Sequence, residues 1–166
     1  KKALYNDILH HISCQNGLIT FHEVEEGQED EEEKHLFHTY FDIYVGLVSG
    51  KEEVYKHKEL GNIELLNGKD KVEKYIFIES YPCENVEVNH YLLQHKETLL
   101  QRKIRTFHEE NWFEWGAPRN ISSIRKKMGC DCIYLHNLTR KKEVALLGKV
   151  MYFGGNLLMI VPKEGF

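Results

Sequence analysis

The chain has 166 residues, 42% of them apolar and 29% charged, the composition of one soluble domain built on a single core. Eight Phe, nine Tyr and two Trp exclude global disorder, because each large side chain contributes roughly 1.5–3 kcal/mol when buried. Net charge is −4, no apolar run approaches the roughly 18–20 residues of a membrane helix, and Lys1-Lys2-Ala3-Leu4 does not open a signal-peptide core, so a cytoplasmic protein is expected.

In chain order, Leu4, Ile8, Leu9 and Ile12 recur at helical spacing and predict a short amphipathic helix over 2–13. Residues 25–33 then hold seven acids and no base, the composition of a solvated loop. Helix and acidic loop together make an N-terminal segment, 1–38. Outside the acidic run the chain carries 22 bases against 19 acids, or +3. Alternation over 39–48 reads as a strand ending in Gly46-Leu47-Val48-Ser49-Gly50-Lys51, and 74–79 reads as another, closed by Pro82. Asn85 caps a long helix over 86–107, with Val88, Tyr91, Leu92, His95, Leu99 and Ile104 along one side and bases on the other.

After a loop at 111–120, Ile121, Ile124 and Met128 predict a short helix stopped by Gly129. Strands follow at 131–138, 143–153 and 156–161, and 152–157 reads as a tight hairpin whose two glycines tolerate the positive φ of a type I′ turn. The sum is an α+β fold, antiparallel strands with one long and two short helices, in which 39–166 is the functional domain. No repeat or linker divides it. From the lysine start and the end just after a strand-like run, an excised, C-terminally truncated part of a longer chain is expected.

Of Cys14, Cys83, Cys130 and Cys132, only the last two are close, and a lone Cys-x-Cys lacks the second pair of a zinc site. Reduced structural thiols are expected. His10-His11 and His35-x-x-His38 lack carboxylate partners at ligand spacing, so no metal is assigned. No nucleophile elbow, phosphate loop or dinucleotide fingerprint occurs, which disfavours a self-contained enzyme.

Charge is uneven: from His95 to Lys149 twelve Lys/Arg face six acids, a local field that suits a phosphate backbone or simply a solvated surface. Within 111–120, Arg119 can reach guanine O6 and N7, and Asn111 or Asn120 matches the adenine edge. Trp112 and Trp115 either stack or buttress that loop. Thr139, Arg140, Lys141 and Lys142 form a basic turn, a phosphate or base contact or else a solvated tip. Gly46 to Lys51, with Gly50 and the Ser49 hydroxyl, offers donors to a phosphate or forms a structural turn.

These segments, in order, resemble the target-recognition region of TaqI-like amino-group DNA methyltransferases of bacterial restriction–modification systems. The resemblance runs through Val45-Gly46-Leu47-Val48-Ser49-Gly50 with Val54-Tyr55, then Leu92-Leu93-Gln94-His95-Lys96 with Leu99 and Arg102. It continues through Asn111-Trp112-Phe113-Glu114-Trp115-Gly116-Ala117-Pro118-Arg119-Asn120, Cys132-Ile133-Tyr134-Leu135 with Thr139-Arg140, and Phe153-Gly154-Gly155-Asn156-Leu157-Leu158 with Pro162. It covers about residues 39–163.

The resemblance implies a module that recognises duplex DNA while an N-terminal catalytic domain of the same protein binds S-adenosylmethionine, extrudes a base and methylates an adenine, or a cytosine, amino group. That family's Asn/Asp-Pro-Pro-Tyr/Phe motif is missing here, Pro82, Pro118 and Pro162 being isolated. No catalytic residue or cofactor site is therefore assigned to this chain. Arg119 and Asn120 are the first DNA contacts expected, then Ser49, Lys51, Thr139, Arg140 and Lys141, with Trp112, Trp115, Gly46 and Gly50 in support. The full protein can also carry a restriction nuclease. Two rival readings stand beside this one. The first is a protein-interaction module using the acidic loop and the Trp-rich segment. The second is a small metal-dependent nuclease built on Glu73-Lys74 or Glu79.

Overall fold

The computed structural model describes residues 2–5, 8–15, 18–23, 37–69, 71–138 and 144–163. The chain divides into two compact units, Lys1–His35 and Leu36–Phe166, where composition had led to one core.

The first unit is an antiparallel sheet of β1 (Lys2–Tyr5), β2 (Ile8–Gln15) and β3 (Leu18–Glu23), in that order. It replaces the helix expected over 2–13. Tyr5 pairs with Ile8 and Gln15 with Leu18, so strands that follow one another in the chain pair end to end. β-Branched Ile8, Ile12, Ile19 and Thr20 favour strands, and that preference, joined with pairing, outranks a few apolar residues at helical spacing. The acidic run at 25–33 lies outside the described residues.

The second unit opens with α1 (Phe37–Tyr40), β4 (Phe41–Val45), α2 (Glu52–Tyr55), β5 (Ile63–Leu66) and β6 (Val72–Tyr75). It continues with α3 (Val86–Gln94), α4 (Lys96–Leu100), α5 (Ile121–Lys126), β7 (Asp131–His136), β8 (Ala145–Lys149) and β9 (Leu157–Pro162). Four strands form an antiparallel sheet in the order β4-β9-β7-β8, and β5 and β6 form a separate antiparallel pair. The α+β class with antiparallel strands is as expected.

Side chains alternate between the faces of the larger sheet. Tyr44, Met159, Tyr134 and Leu146 register in one row across its four strands and pack on or within the main core. One residue along, Ile43, Ile160, Ile133 and Leu147 form the row of the opposite face. Both faces are apolar, and Ile43 and Leu147 at the ends of the second row are 54% and 87% exposed. The core itself gathers Tyr55, Tyr75, Ile76, Leu92, Leu99, Trp115, Ile124, Tyr134, Phe153 and Met159.

Asn85 caps α3 as expected, its side-chain oxygen accepting from Glu87 and Val88 N at 3.0 and 3.1 Å, a contribution of about 1 kcal/mol. The long helix does not form. The chain breaks at His95 and leaves the helical path after Leu100, because Arg102 turns inward and its Nε donates to the Leu99 carbonyl at 2.7 Å, the acceptor a continuing helix would give to residue 103. The strand expected at 74–79 is instead Val72–Tyr75, since Ile76 N turns to the Tyr55 carbonyl at the end of α2. The 152–157 segment is not a hairpin between neighbouring strands: β7 lies between β8 and β9. The positive-φ glycines among the described residues are Gly50, Gly68 and Gly129, so Gly154 and Gly155 answer a different need.

Candidate nucleic-acid interface

Three segments singled out in the sequence meet through backbone hydrogen bonds. Leu47 N donates to Phe153 O at 2.8 Å, Val48 and Ala117 exchange bonds of 3.0 and 2.9 Å, and Gly116 N donates to Ser49 O at 2.9 Å. The glycines make this approach possible. A methyl on Gly46 would lie 2.0 Å from Gly154 O, and one on Gly155 would lie 2.6 Å from Val48 Cγ2. Backbone packs on backbone, which is what the Gly-Gly pair at 154–155 is for.

Arg102 binds the assembly from behind. It is 8% exposed, and its guanidinium donates to four carbonyls: Leu99 at 2.7 Å, Ser49 at 3.0 Å, Glu114 at 3.0 Å and Trp112 at 2.6 Å. Its face lies 3.7 Å from the Phe107 ring centre, a cation–π contact. Burial holds its pKa below the ordinary arginine value. Tyr55 Oη donates to Phe113 O at 2.8 Å, and burial, opposed by the nearby Arg102 charge, pushes that phenol up to about 12. In the sequence Arg102 stood out only through the resemblance, since nothing in its neighbourhood marks an arginine for the interior.

Beside the Ser49 turn lies an open cleft of about 700 Å³, bordered among others by Ser49, Lys51, Asn67, Lys71, Glu73 and Asn156. Asn67 Nδ2 donates to Glu73 Oε2 at 2.9 Å and to Tyr75 Oη at 3.1 Å, and Asn156 Nδ2 donates to Asn67 O at 2.8 Å. Burial works to raise the Glu73 pKa, yet hydrogen bonds from Lys56 and Asn67 hold it below the usual carboxylate value. Lys51 pairs with Glu53 at 2.6 Å, so the turn pairs its donors with carboxylates and is no uniformly positive phosphate seat. Asn67 and Lys71 were not singled out in the sequence, because they come from the unforeseen β5–β6 pair.

Arg119 is exposed and makes no ion pair or hydrogen bond with any described residue. Asn120 has φ 58° and opens α5, its carbonyl accepting from Ile124 N at 2.8 Å; asparagine tolerates this left-handed backbone. Ser49 is buried, and its hydroxyl oxygen accepts from Lys51 N at 3.4 Å. Gly50 holds φ +80° against Ile104 and Gly116.

The two tryptophans buttress and do not stack on anything outside. Both are buried; Trp115 Nε1 donates to Ile76 O at 2.9 Å, and Trp112 meets Tyr81 edge-on at 4.7 Å. Asn111 is likewise spent on its own loop, Oδ1 accepting from His108 N at 2.7 Å. Thr139, Arg140 and Lys141 lie outside the described residues.

The basic half is largely compensated locally. Lys96 pairs with Glu109, Arg105 with Glu114, Arg125 with Glu79, Lys127 with Asp42 and Lys149 with Asp131. Lys103, Arg119 and Lys126 alone remain exposed and unpaired among its described members. Cys130 is exposed and Cys132 buried, and burial pushes the Cys132 thiol up. Among the described residues no group of three or more His, Cys, Asp or Glu could hold a metal, and no helix is long and apolar enough to cross a membrane. No protein-family model matches the chain, and no curated protein matches it.

Proposed function

We propose that this chain recognises duplex DNA in a sequence-specific way, as the target-recognition part of an adenine-specific DNA methyltransferase of a restriction–modification system. The observation that carries the reading is the convergence of the 46–51, 116–120 and 153–157 segments, which are remote in sequence and joined by backbone bonds. Arg119 and Asn120 follow directly on that junction, and Arg119 is exposed with its guanidinium uncommitted among the described residues. A fixed loop that presents a free guanidinium suits bidentate recognition of guanine. S-adenosylmethionine and the methyl transfer belong to a catalytic domain that this segment does not supply, and no residue here is assigned to the cofactor.

Selection from a randomised duplex pool, in the presence of heparin competitor, tests the reading. Enrichment of one sequence, with affinity that falls steeply as salt rises, is the expected result. Flow-through of every duplex at low salt would reject it.

A further inference from the structure

Ile104 belongs, by its helical spacing, to the buried side of a long helix, yet it is 44% exposed. The reason is its neighbour: Arg102 takes the interior and ends the helix, and Ile104 turns out over the junction of the converging segments. There it rests on glycine. A methyl on Gly116 would lie 2.6 Å from Ile104 Cγ2 and 2.9 Å from its Cδ1, and one on Gly50 would lie 3.1 Å from Cγ2. The inner side of this β-branched side chain is therefore seated on backbone and held in few rotamers, while its outer side faces solvent. It is a rigid apolar knob.

Cationic residues flank Ile104 and the two glycines beneath it along the chain. Lys103 is exposed and unpaired among the described residues, Arg105 is held by Glu114 and the Trp115 carbonyl, Lys51 follows Gly50, and Arg119 stands three residues beyond Gly116. Protein-docking surfaces are depleted in lysine around their apolar centres. Duplex-binding surfaces instead set single apolar side chains among cations, against a thymine methyl or as a wedge at a base step.

We propose that Ile104 is the apolar base contact of the duplex-binding surface and that Lys103 is the phosphate contact beside it. This rests on the proposed DNA-recognition reading. It adds a third reading element, contributed by the turn after α4, to the loops that carry Arg119 and Lys51.

The test uses the full chain and the sequence enriched from a randomised duplex pool. Ile104→Ala should lower affinity for that sequence roughly tenfold, the loss expected for about two methylenes of apolar contact. Its affinity for a scrambled duplex and its salt slope should stay unchanged, and Ile104→Val should recover most of the loss. Lys103→Ala should instead weaken both duplexes alike and flatten the salt slope by about one unit. Urea midpoints of all three variants report whether the fold is kept. Wild-type affinity and enrichment retained in a folded Ile104→Ala protein would overturn the inference while leaving the DNA reading intact. Equal losses on both duplexes would overturn it as a base contact. If the wild-type chain binds no duplex, or binds all alike, the reading it rests on fails first.

Discussion

Arg102 Nη1 donates to the Ser49 carbonyl at 3.0 Å, across 53 positions of sequence. The same guanidinium holds the Glu114 and Trp112 carbonyls, so one side chain sets the Ser49 turn against the loop that leads to Arg119. Its charge is met by carbonyl dipoles and the Phe107 face, with no carboxylate among its hydrogen-bond partners. Removing it breaks four hydrogen bonds at once, and although Ser49 O keeps Gly116 N and Glu114 O keeps Tyr55 Oη, the Leu99 and Trp112 carbonyls lose their donor, a cost of about 2–4 kcal/mol. Arg102→Met should lower the free energy of unfolding in urea by that amount, and Arg102→Lys should recover only part, because an ammonium cannot span four divergent acceptors. A loss below about 1 kcal/mol would mean the junction holds without it.

Gly46 and Gly129 should respond differently to alanine. At Gly46 the added methyl meets the Gly154 carbonyl at 2.0 Å, and neither strand of backbone can yield cheaply, so Gly46→Ala should cost about 3 kcal/mol or more. Gly129 sits at φ +81° with open space around it, and Gly129→Ala should cost only the left-handed penalty of about 1–2 kcal/mol. Thermal unfolding of the two variants ranks them.

Burial of both tryptophans makes them reporters of the core. Their emission should be that of shielded indoles and should not be quenched when a duplex is added. Trp115→Phe should cost about 2–3 kcal/mol through the lost bond to the Ile76 carbonyl and the void left behind. Strong quenching on duplex binding would show the rings stacking on bases after all.

The raised Tyr55 pKa predicts how stability responds to alkali. In the unfolded chain the phenol ionises near its ordinary value of 10, whereas in the fold it stays neutral up to about 12. Its contribution is therefore complete below pH 10 and is lost as pH rises from about 10 to about 12, amounting to about 2–3 kcal/mol. Tyr134, raised in the same direction by burial, adds to the slope. Unfolding measured across that interval should steepen with pH, and Tyr55→Phe should flatten the response while lowering stability at neutral pH through the lost bond to Phe113 O.

Arg119→Ala separates recognition from folding. With no partner among the described residues, its removal should leave unfolding within about 0.5 kcal/mol of the parent. Discrimination between the enriched duplex and one altered at the contacted base should fall by about 1–3 kcal/mol. Unchanged discrimination would remove Arg119 from the reading surface.

Features legible in the sequence are those set by near neighbours. Asn85 reaches donors two and three residues ahead, Gly129 ends the turns after α5 by its own backbone freedom, and the short apolar runs at 131–136 and 157–162 are strands because strand propensity is a property of the run itself. The helical spacing of Leu4, Ile8, Leu9 and Ile12 was equally local, and strand pairing overrode it.

What local pattern could not supply was the identity of distant partners. The bases of the C-terminal half are mostly matched by carboxylates, two of them from remote segments, Glu79 for Arg125 and Asp42 for Lys127, and the two tryptophans face the core because Ile76 and Tyr81 are there to receive them. By itself the sequence determined the α+β class, the cap at Asn85 and the C-terminal strands, since propensity and capping act within a few residues. Only tertiary structure decided that Arg102 goes inside and Ile104 outside, because the four carbonyls that compensate a buried guanidinium are assembled by segments up to 53 positions away.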